Sequence, residues 1–389
     1  MLEAVHIAWI ILQILIGFHL FFPLFLLLFS KLKSNKKLPI ITDKQDLDFA
    51  IIITAYEETV NLPEVVSAIL AQPYQNFTIY LVADKCDTSS LFFDDERVNV
   101  LMPPKVIGSN TGSHTYAVQN FKKQHDVVTI IDSDNIIDSQ YLVEIKKSFD
   151  QGFKAVQGLR APKNLDTDYA RLDAGRDIYY HFYDGEVLFK AGSSATLAGS
   201  AMAFKTELYT DFLKNCKVSG AGFDKVLQHY IVDKNIRIAF NKQAILFDQK
   251  TTHADQLVKQ RSRWINTWFK YFKYGFGLVA KGVRNASVNQ FIFGMVLLRP
   301  PLFIFLILAV FATVINFVLG FNYWIWLLGF ASFVIGFFIA LKASDTDKRI
   351  YVSLVNIPKF IFFQLLSLSK VRVANKISVA TKHQKINEN

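Results

Sequence analysis

An almost uncharged apolar run occupies residues 7–29 and is followed at once by Lys31, Lys33, Lys36 and Lys37. As a helix that run is long enough to cross the hydrocarbon of a bilayer. The positive cluster follows the run instead of preceding it, and the run is longer than the core of a signal peptide. The pattern therefore predicts a signal-anchor helix over residues 1–30, its N-terminus outside.

From about residue 43 to residue 240 the pattern changes. Short apolar runs at 49–54, 78–83, 98–102 and 127–132 alternate with stretches of helical character. Such alternation predicts a parallel sheet wrapped by helices. In open sheets of this kind ligands sit beyond the C-terminal strand ends. Tyr56-Glu57-Glu58, Asp84 and the pair Asp132/Asp134 all fall at such ends, so three strand exits are expected to meet in one crevice.

Two further spans are expected at 302–320 and 323–341, joined by a short turn at Phe321-Asn322. Arg299-Pro300-Pro301 breaks any helix just before them. A fourth apolar stretch, 351–368, contains Pro358 and Lys359. If it crossed, the tail with Lys370, Arg372, Lys376, Lys382 and Lys385 would lie outside, against the positive-inside bias. It is expected to lie at the interface instead. The division is then 1–30 (anchor), 43–285 (soluble domain ending in an interfacial helix), 286–341 (two spans) and 342–389 (interfacial helix and basic cytoplasmic tail).

Composition narrows the class. Mean hydropathy is +0.24, too high for an ordinary soluble enzyme and too low for a chain that is all membrane. The net charge of +10 is concentrated beside the apolar segments, where it suits anionic lipid at a cytoplasmic face. No recognition-helix or aromatic-stacking pattern points to nucleic acid. Cys86 and Cys216 stand alone, which implies neither a disulfide framework nor a zinc site.

The candidate chemistry sits on short clusters. Asp132-Ser133-Asp134 ends an apolar strand, and alternate residues there share a side. Two carboxylates so placed suit Mg²⁺ or Mn²⁺ held jointly with phosphate oxygens, although the same residues also suit a plain turn. Asp84 could accept a hydrogen bond from a nucleobase, or stand exposed beside an N-cap. Tyr56 and Glu57 would border the nucleoside by packing and by hydrogen bonding. Asp224, after Gly220-Ala221-Gly222-Phe223, could deprotonate an acceptor hydroxyl or merely start a helix. In Gln260-Arg261-Ser262-Arg263-Trp264, helical spacing puts Gln260, Arg263 and Trp264 on one face. Arg263 could grip a diphosphate and Trp264 stack on a sugar. Trp268, Phe269, Phe272 and Phe276 suggest a second face lying on the membrane.

Taken together, Thr54-Ala55-Tyr56-Glu57-Glu58, Asp84, Asp132-Ser133-Asp134, residues 197–204 with Gly199 and Ser200, Asp224 and Gln260 to Trp264 resemble membrane-bound family 2 glycosyltransferases. That group includes the chitin-oligosaccharide, hyaluronan, cellulose and poly-N-acetylglucosamine synthases. The resemblance covers roughly residues 49–275. It implies an α/β, Rossmann-like GT-A domain in the cytoplasm, flanked by transmembrane helices and interfacial amphipathic helices. It further implies a UDP-sugar donor, a divalent metal on Asp134, inversion at the anomeric carbon and Asp224 as general base. Tyr56, Glu57, Asp84, Asp132 and Arg263 would serve the donor; Gly199, Ser200, Gln260 and Trp264 would serve the acceptor. Two departures stand out: Tyr56-Glu57-Glu58 replaces a frequent Tyr-Asn-Glu, and Phe223-Asp224 replaces Glu-Asp.

The first expectation is growth of a β-linked polysaccharide at the cytoplasmic face of a bacterial membrane. Three spans are few for lining a channel, so a homo-oligomer or a secretion partner would be needed. The alternative is single transfer to a ceramide-like or diacylglycerol-like lipid. A catalytically silent membrane subunit is the remaining reading.

Overall fold

The computed structural model describes residues 2–33, 46–215, 218 and 221–369. Lys36, Lys37, Cys216, Gly220 and the basic tail from Lys370 onward lie outside the described residues, as does the expected boundary at 43. One mixed sheet is built from β1 (Phe49–Tyr56), β2 (Phe77–Asp84), β3 (Val98–Leu101) and β4 (Val127–Asp132). It continues with β5 (Ile136–Ile137), β6 (Ala155–Pro162), β7 (Met202–Lys205) and β8 (Ile238–Asp248). Their order across the sheet is β3-β2-β1-β4-β7-β6-β8-β5.

The four expected strands lie side by side and parallel. Their register sets Tyr56 beside Asp84, and Thr54 beside Asp132, so the strand ends that carry the candidate residues are level. The expectation of a purely parallel sheet needs correction. β7 runs antiparallel to both β4 and β6, and β5 runs antiparallel to β8. After β6 the chain runs through helical turns over 168–190, and left-handed backbone at Gly199 (φ 89°) and Ala201 (φ 55°) then turns it into β7, antiparallel to both its neighbours.

Both sheet faces are covered, which is why β1 and β2 read as unbroken apolar runs. Phe49, Ile51 and Ile53 face Val65, Val66 and Ile69 of the helix Leu62–Leu70. Ala50 and Ile52 face the other way, in one core with Tyr179, Leu188 and Phe293. That second core also takes in Phe22 and Leu26 of the helix Leu2–Lys33 and Ala340 of the helix Trp324–Ala343. The apolar helices thus pack on the α/β domain directly. A π-helical turn, His181–Val187, sits at the junction, and the Tyr183 hydroxyl donates to the carbonyl of Gly336 at 3.0 Å.

Among the described residues, three helices are long and apolar enough to cross a membrane: Glu3–Lys33, Trp324–Ala343 and Lys348–Leu368. The expected span at 302–320 is one arm of a pair, Val288–Leu298 and Leu302–Val318, bent by 70° at Arg299-Pro300-Pro301. Lys348–Leu368 is long enough to cross, yet its middle packs on the α/β domain. Phe360 lies against Leu172 and Leu257, while Ser353 and Asn356 bond Asp168 at 3.2 and 2.9 Å.

Candidate active site

A cavity of about 660 Å³ opens at the C-terminal ends of β1 and β4 and runs to the bent helix pair. Tyr56, Asp132, Asp134, Gly199, Asp224, Gln260, Arg263 and Trp264 all line it. Glu57, Asp84 and Ser200 are placed elsewhere. The buried Ser200 hydroxyl accepts from the Asp132 N–H at 3.1 Å and from Asn135 Nδ2 at 3.3 Å, and so fixes the turn that carries both aspartates. Asp84 is buried and accepts from the N–H groups of Ile107 (2.9 Å) and Gly108 (2.7 Å), tying down the loop before the helix Asn110–Gln119. Glu57 adopts φ 64° and pairs with Lys85 at 2.7 Å on the surface.

The electrostatics at the strand ends are uneven. Enclosure, followed by the charge of Asp134, raises the Asp132 carboxyl to about 7; Arg160 opposes the rise. Arg160 is itself held by Asp248 at 2.8 Å, and Lys250 bridges Asp177 (2.6 Å) and Asp248 (2.8 Å). Burial works against the charge on Asp177 and Asp248, but these cations hold both carboxyls below the usual range. Asp132 and Asp134 therefore repel each other above an ion-pair network that is already engaged. That arrangement suits a hard divalent cation. Among the described residues no group of three or more His, Cys, Asp or Glu could hold a metal alone. Mg²⁺ or Mn²⁺ here would complete its shell with diphosphate oxygens and water, as small octahedral cations do.

Across the cavity, Gly222 (φ 95°) starts the helix Phe223–Asp233 and places Asp224 in its first turn. A Cβ at Gly222 would come within 2.5 Å of Thr267 Cγ2 and 2.8 Å of Tyr271 Cε2, so glycine also lets this helix approach the helix Ala254–Tyr271. That second helix carries the Gln260–Trp264 cluster. Burial lowers the pKa of the Arg263 guanidinium. Trp264 lies under Arg176 and Arg261, whose guanidinium carbons are 4.4 and 4.3 Å from its ring centre.

Several cavity residues were not anticipated: Arg160, Arg176, Asp177, Asp184, Arg261 and Arg299. Some were signalled. Asp173, Asp177, His181 and Asp184 recur at four-, four- and three-residue spacing within 168–187, which places them along one helix face. Burial lowers His181 to about 4, so the imidazole in that stripe is neutral. Arg299 pairs with Asp184, and Arg261 with Asp173, in contacts that join elements over a hundred and nearly ninety positions apart. Those pairings have no local signature.

No curated protein matches the chain. Among solved structures it is similar to the mannosyltransferase PcManGT from Pyrobaculum calidifontis in complex with GDP-Man and Mn²⁺. That match has 15% identity, covers 96% of this chain and 99% of that one, and has a TM-score of 0.57. S. aureus TarS 1–349 in complex with UDP-GlcNAc aligns more loosely, at 12% identity over 84% and 92% of the two chains with a TM-score of 0.42. The first likeness fixes the GT-A fold. The model of glycosyltransferase like family 2 matches residues 46–267, more than half of the chain and all of the cavity's strand-end carboxylates. The protein belongs to glycosyltransferase family 2.

Proposed function

We propose that the protein moves one sugar from a nucleoside-diphosphate sugar to a lipid acceptor at the cytoplasmic face of a membrane. One observation carries this reading. The cavity that holds Asp132, Asp134 and Asp224 ends among Val296, Leu297, Leu302 and Phe303, at the bend of the apolar helix pair. An acceptor whose tail lies among apolar helices can bring its head group to the strand ends without leaving the bilayer.

Asp134, with Asp132 beside it, would hold a divalent ion against the donor's diphosphate. Bound there, the ion supplies charge neutralisation for the departing diphosphate. Tyr56 packs against the nucleoside, with Glu57 and Asp84 ordering the loops behind it, and Arg263 grips the diphosphate. Gly199, Gln260 and Trp264 border the acceptor. Asp224 takes the proton of the acceptor hydroxyl as its oxygen bonds to the anomeric carbon and the carbon–diphosphate bond breaks. A single in-line displacement of this kind inverts the anomeric centre. Positioning and fixed charge supply most of the acceleration.

Polymer growth, the other expectation, requires a passage between the membrane helices. Trp9, Gln13, Asn316 and Trp326 fill space there with mutual hydrogen bonds, which favours single transfer. The helix Lys348–Leu368, held to the catalytic domain at Phe360, would lie along the interface.

The test uses the full chain in lipid nanodiscs with Mn²⁺ and a panel of UDP- and GDP-sugars, read by nucleotide release. One donor should be consumed, and the Asp224→Asn variant should bind that donor but not transfer its sugar. Near-normal transfer by Asp224→Asn would remove the base assignment. No release with any donor would remove the enzymatic reading.

A further inference from the structure

One wall of the cavity alternates arginines and aromatic rings. Arg299 lies 5.4 Å from the centre of the Tyr180 ring, and Arg176 lies 5.0 Å from it. Arg176 continues to Trp264 at 4.4 Å, and Arg261 lies over the same ring at 4.3 Å. The row thus runs Arg299–Tyr180–Arg176–Trp264–Arg261, from the bend of the helix pair to the helix Ala254–Tyr271. Each arginine is paired with a carboxylate: Arg299 with Asp184, Arg261 with Asp173, and Arg176 with Asp173 and Asp177 at 3.3 and 3.0 Å; Asp177 and Asp184 line the cavity as well. Cation–π contacts and ion pairs of this kind hold long side chains in fixed positions.

The second observation is independent. Among the described residues, four that line this cavity carry buried side-chain nitrogens without a partner: Arg160 Nε, Gln228 Nε2, Arg261 Nε and Nη1, and Trp268 Nε1. All five are N–H donors. Buried donors without partners are rare and costly, and they point to an acceptor-rich ligand. Arg261 is 97% buried, with two of its nitrogens unbonded, and burial lowers its pKa to about 9. Its charge is only part-compensated by Asp173, which Arg176 shares.

We propose that this wall, from Arg261 and Trp268 to Arg299, binds a phosphate group carried by the acceptor lipid. The inference rests on the lipid-acceptor reading above and adds the head-group chemistry: an anionic phosphoryl group between the reactive hydroxyl and the apolar tail. Arg176 and Arg261 present the charge, the Trp268 indole adds a neutral donor, and the tail leaves past Leu297 and Leu302. The donor's diphosphate is the other source of the same chemistry, and the experiment separates the two.

Intact protein in phosphatidylcholine nanodiscs is titrated with dioleoyl phosphatidic acid or with dioleoylglycerol, which has the same tails and no phosphate. Binding is read by tryptophan fluorescence and native mass spectrometry, with and without saturating UDP or GDP plus Mn²⁺. The phosphatidic acid should bind at least tenfold more tightly than dioleoylglycerol, and saturating nucleotide should not displace it. Arg176→Gln should weaken that binding about tenfold, the loss of one charge-assisted contact, while nucleotide affinity changes little. Trp268→Phe, which keeps the ring and removes one N–H, should weaken it a few-fold and guards against a folding artefact in the first variant. Equal binding of the two lipids would overturn the proposal. So would displacement by nucleotide with both ligands weakened alike in Arg176→Gln, which would assign the wall to the donor's diphosphate. Nucleotide release from the sugar donor, followed in parallel, separates this failure from that of the transferase reading.

Discussion

At the residue scale the account depends on three carboxylates whose surroundings differ. Asp132 ends β4 and Asp134 follows in the turn after it, and burial together with the charge of Asp134 raises Asp132 to about 7. Asp224 stands opposite, on a helix of its own. Chelation by EDTA should therefore abolish nucleotide release, and added Mn²⁺ or Mg²⁺ should restore it. Asp134→Ala should lower turnover by about a thousandfold or more and should not be rescued by metal, since the carboxylate proposed to anchor the ion is gone. Asp173 gives a prediction of a different kind. It is 2% exposed and holds the equally buried Arg261. Asp173→Ala should cost about 3–5 kcal/mol, because a buried guanidinium loses its partner; a chemical or thermal unfolding series measures this. The strand-end residues and the Gln260–Trp264 cluster were legible in the sequence because each carries its own local pattern. The positions of Asp84 and Ser200 were not. Their partners, Ile107 with Gly108 and Asp132 with Asn135, lie across loops whose paths no periodicity encodes.

Elements carry the next level of the argument. The helix Phe223–Asp233 and the helix Ala254–Tyr271 meet at Gly222, where both the positive φ and the 2.5 Å approach exclude a side chain. Gly222→Ala should push the two helices apart and move Asp224 from the acceptor. Turnover should fall more than donor affinity does, a split that steady-state kinetics with varied donor would show. An unchanged turnover would mean that the placement of this helix start does not matter to the chemistry. The four parallel strands were readable from largely apolar runs of five or six residues. β7 was not, since Met202–Lys205 is four residues long and its direction is set by the left-handed turn before it. The bend at Arg299-Pro300-Pro301 was visible as a helix break. Its consequence, a 70° angle that brings Arg299 to Asp184 and the cavity, depends on tertiary packing.

For the whole molecule, the central feature is that the apolar helices and the sheet share one core, with Phe22, Leu26 and Ala340 packed beside Tyr183 and Leu188. The catalytic domain is therefore not expected to stand alone. A form ending at Arg284 and lacking the first helix would expose the Tyr179, Tyr183 and Leu188 surface, and it should aggregate or unfold well below the melting point of the full chain in detergent. The same continuity explains why a cavity that begins at the strand ends finishes among apolar helices, and this is the basis for single transfer to a lipid. Mass spectrometry of the lipids recovered from nanodiscs after reaction with the accepted donor tests that claim most directly. The account predicts one lipid species heavier by a single sugar residue. A ladder of products spaced by one sugar mass would contradict it and return the protein to the polymer synthases.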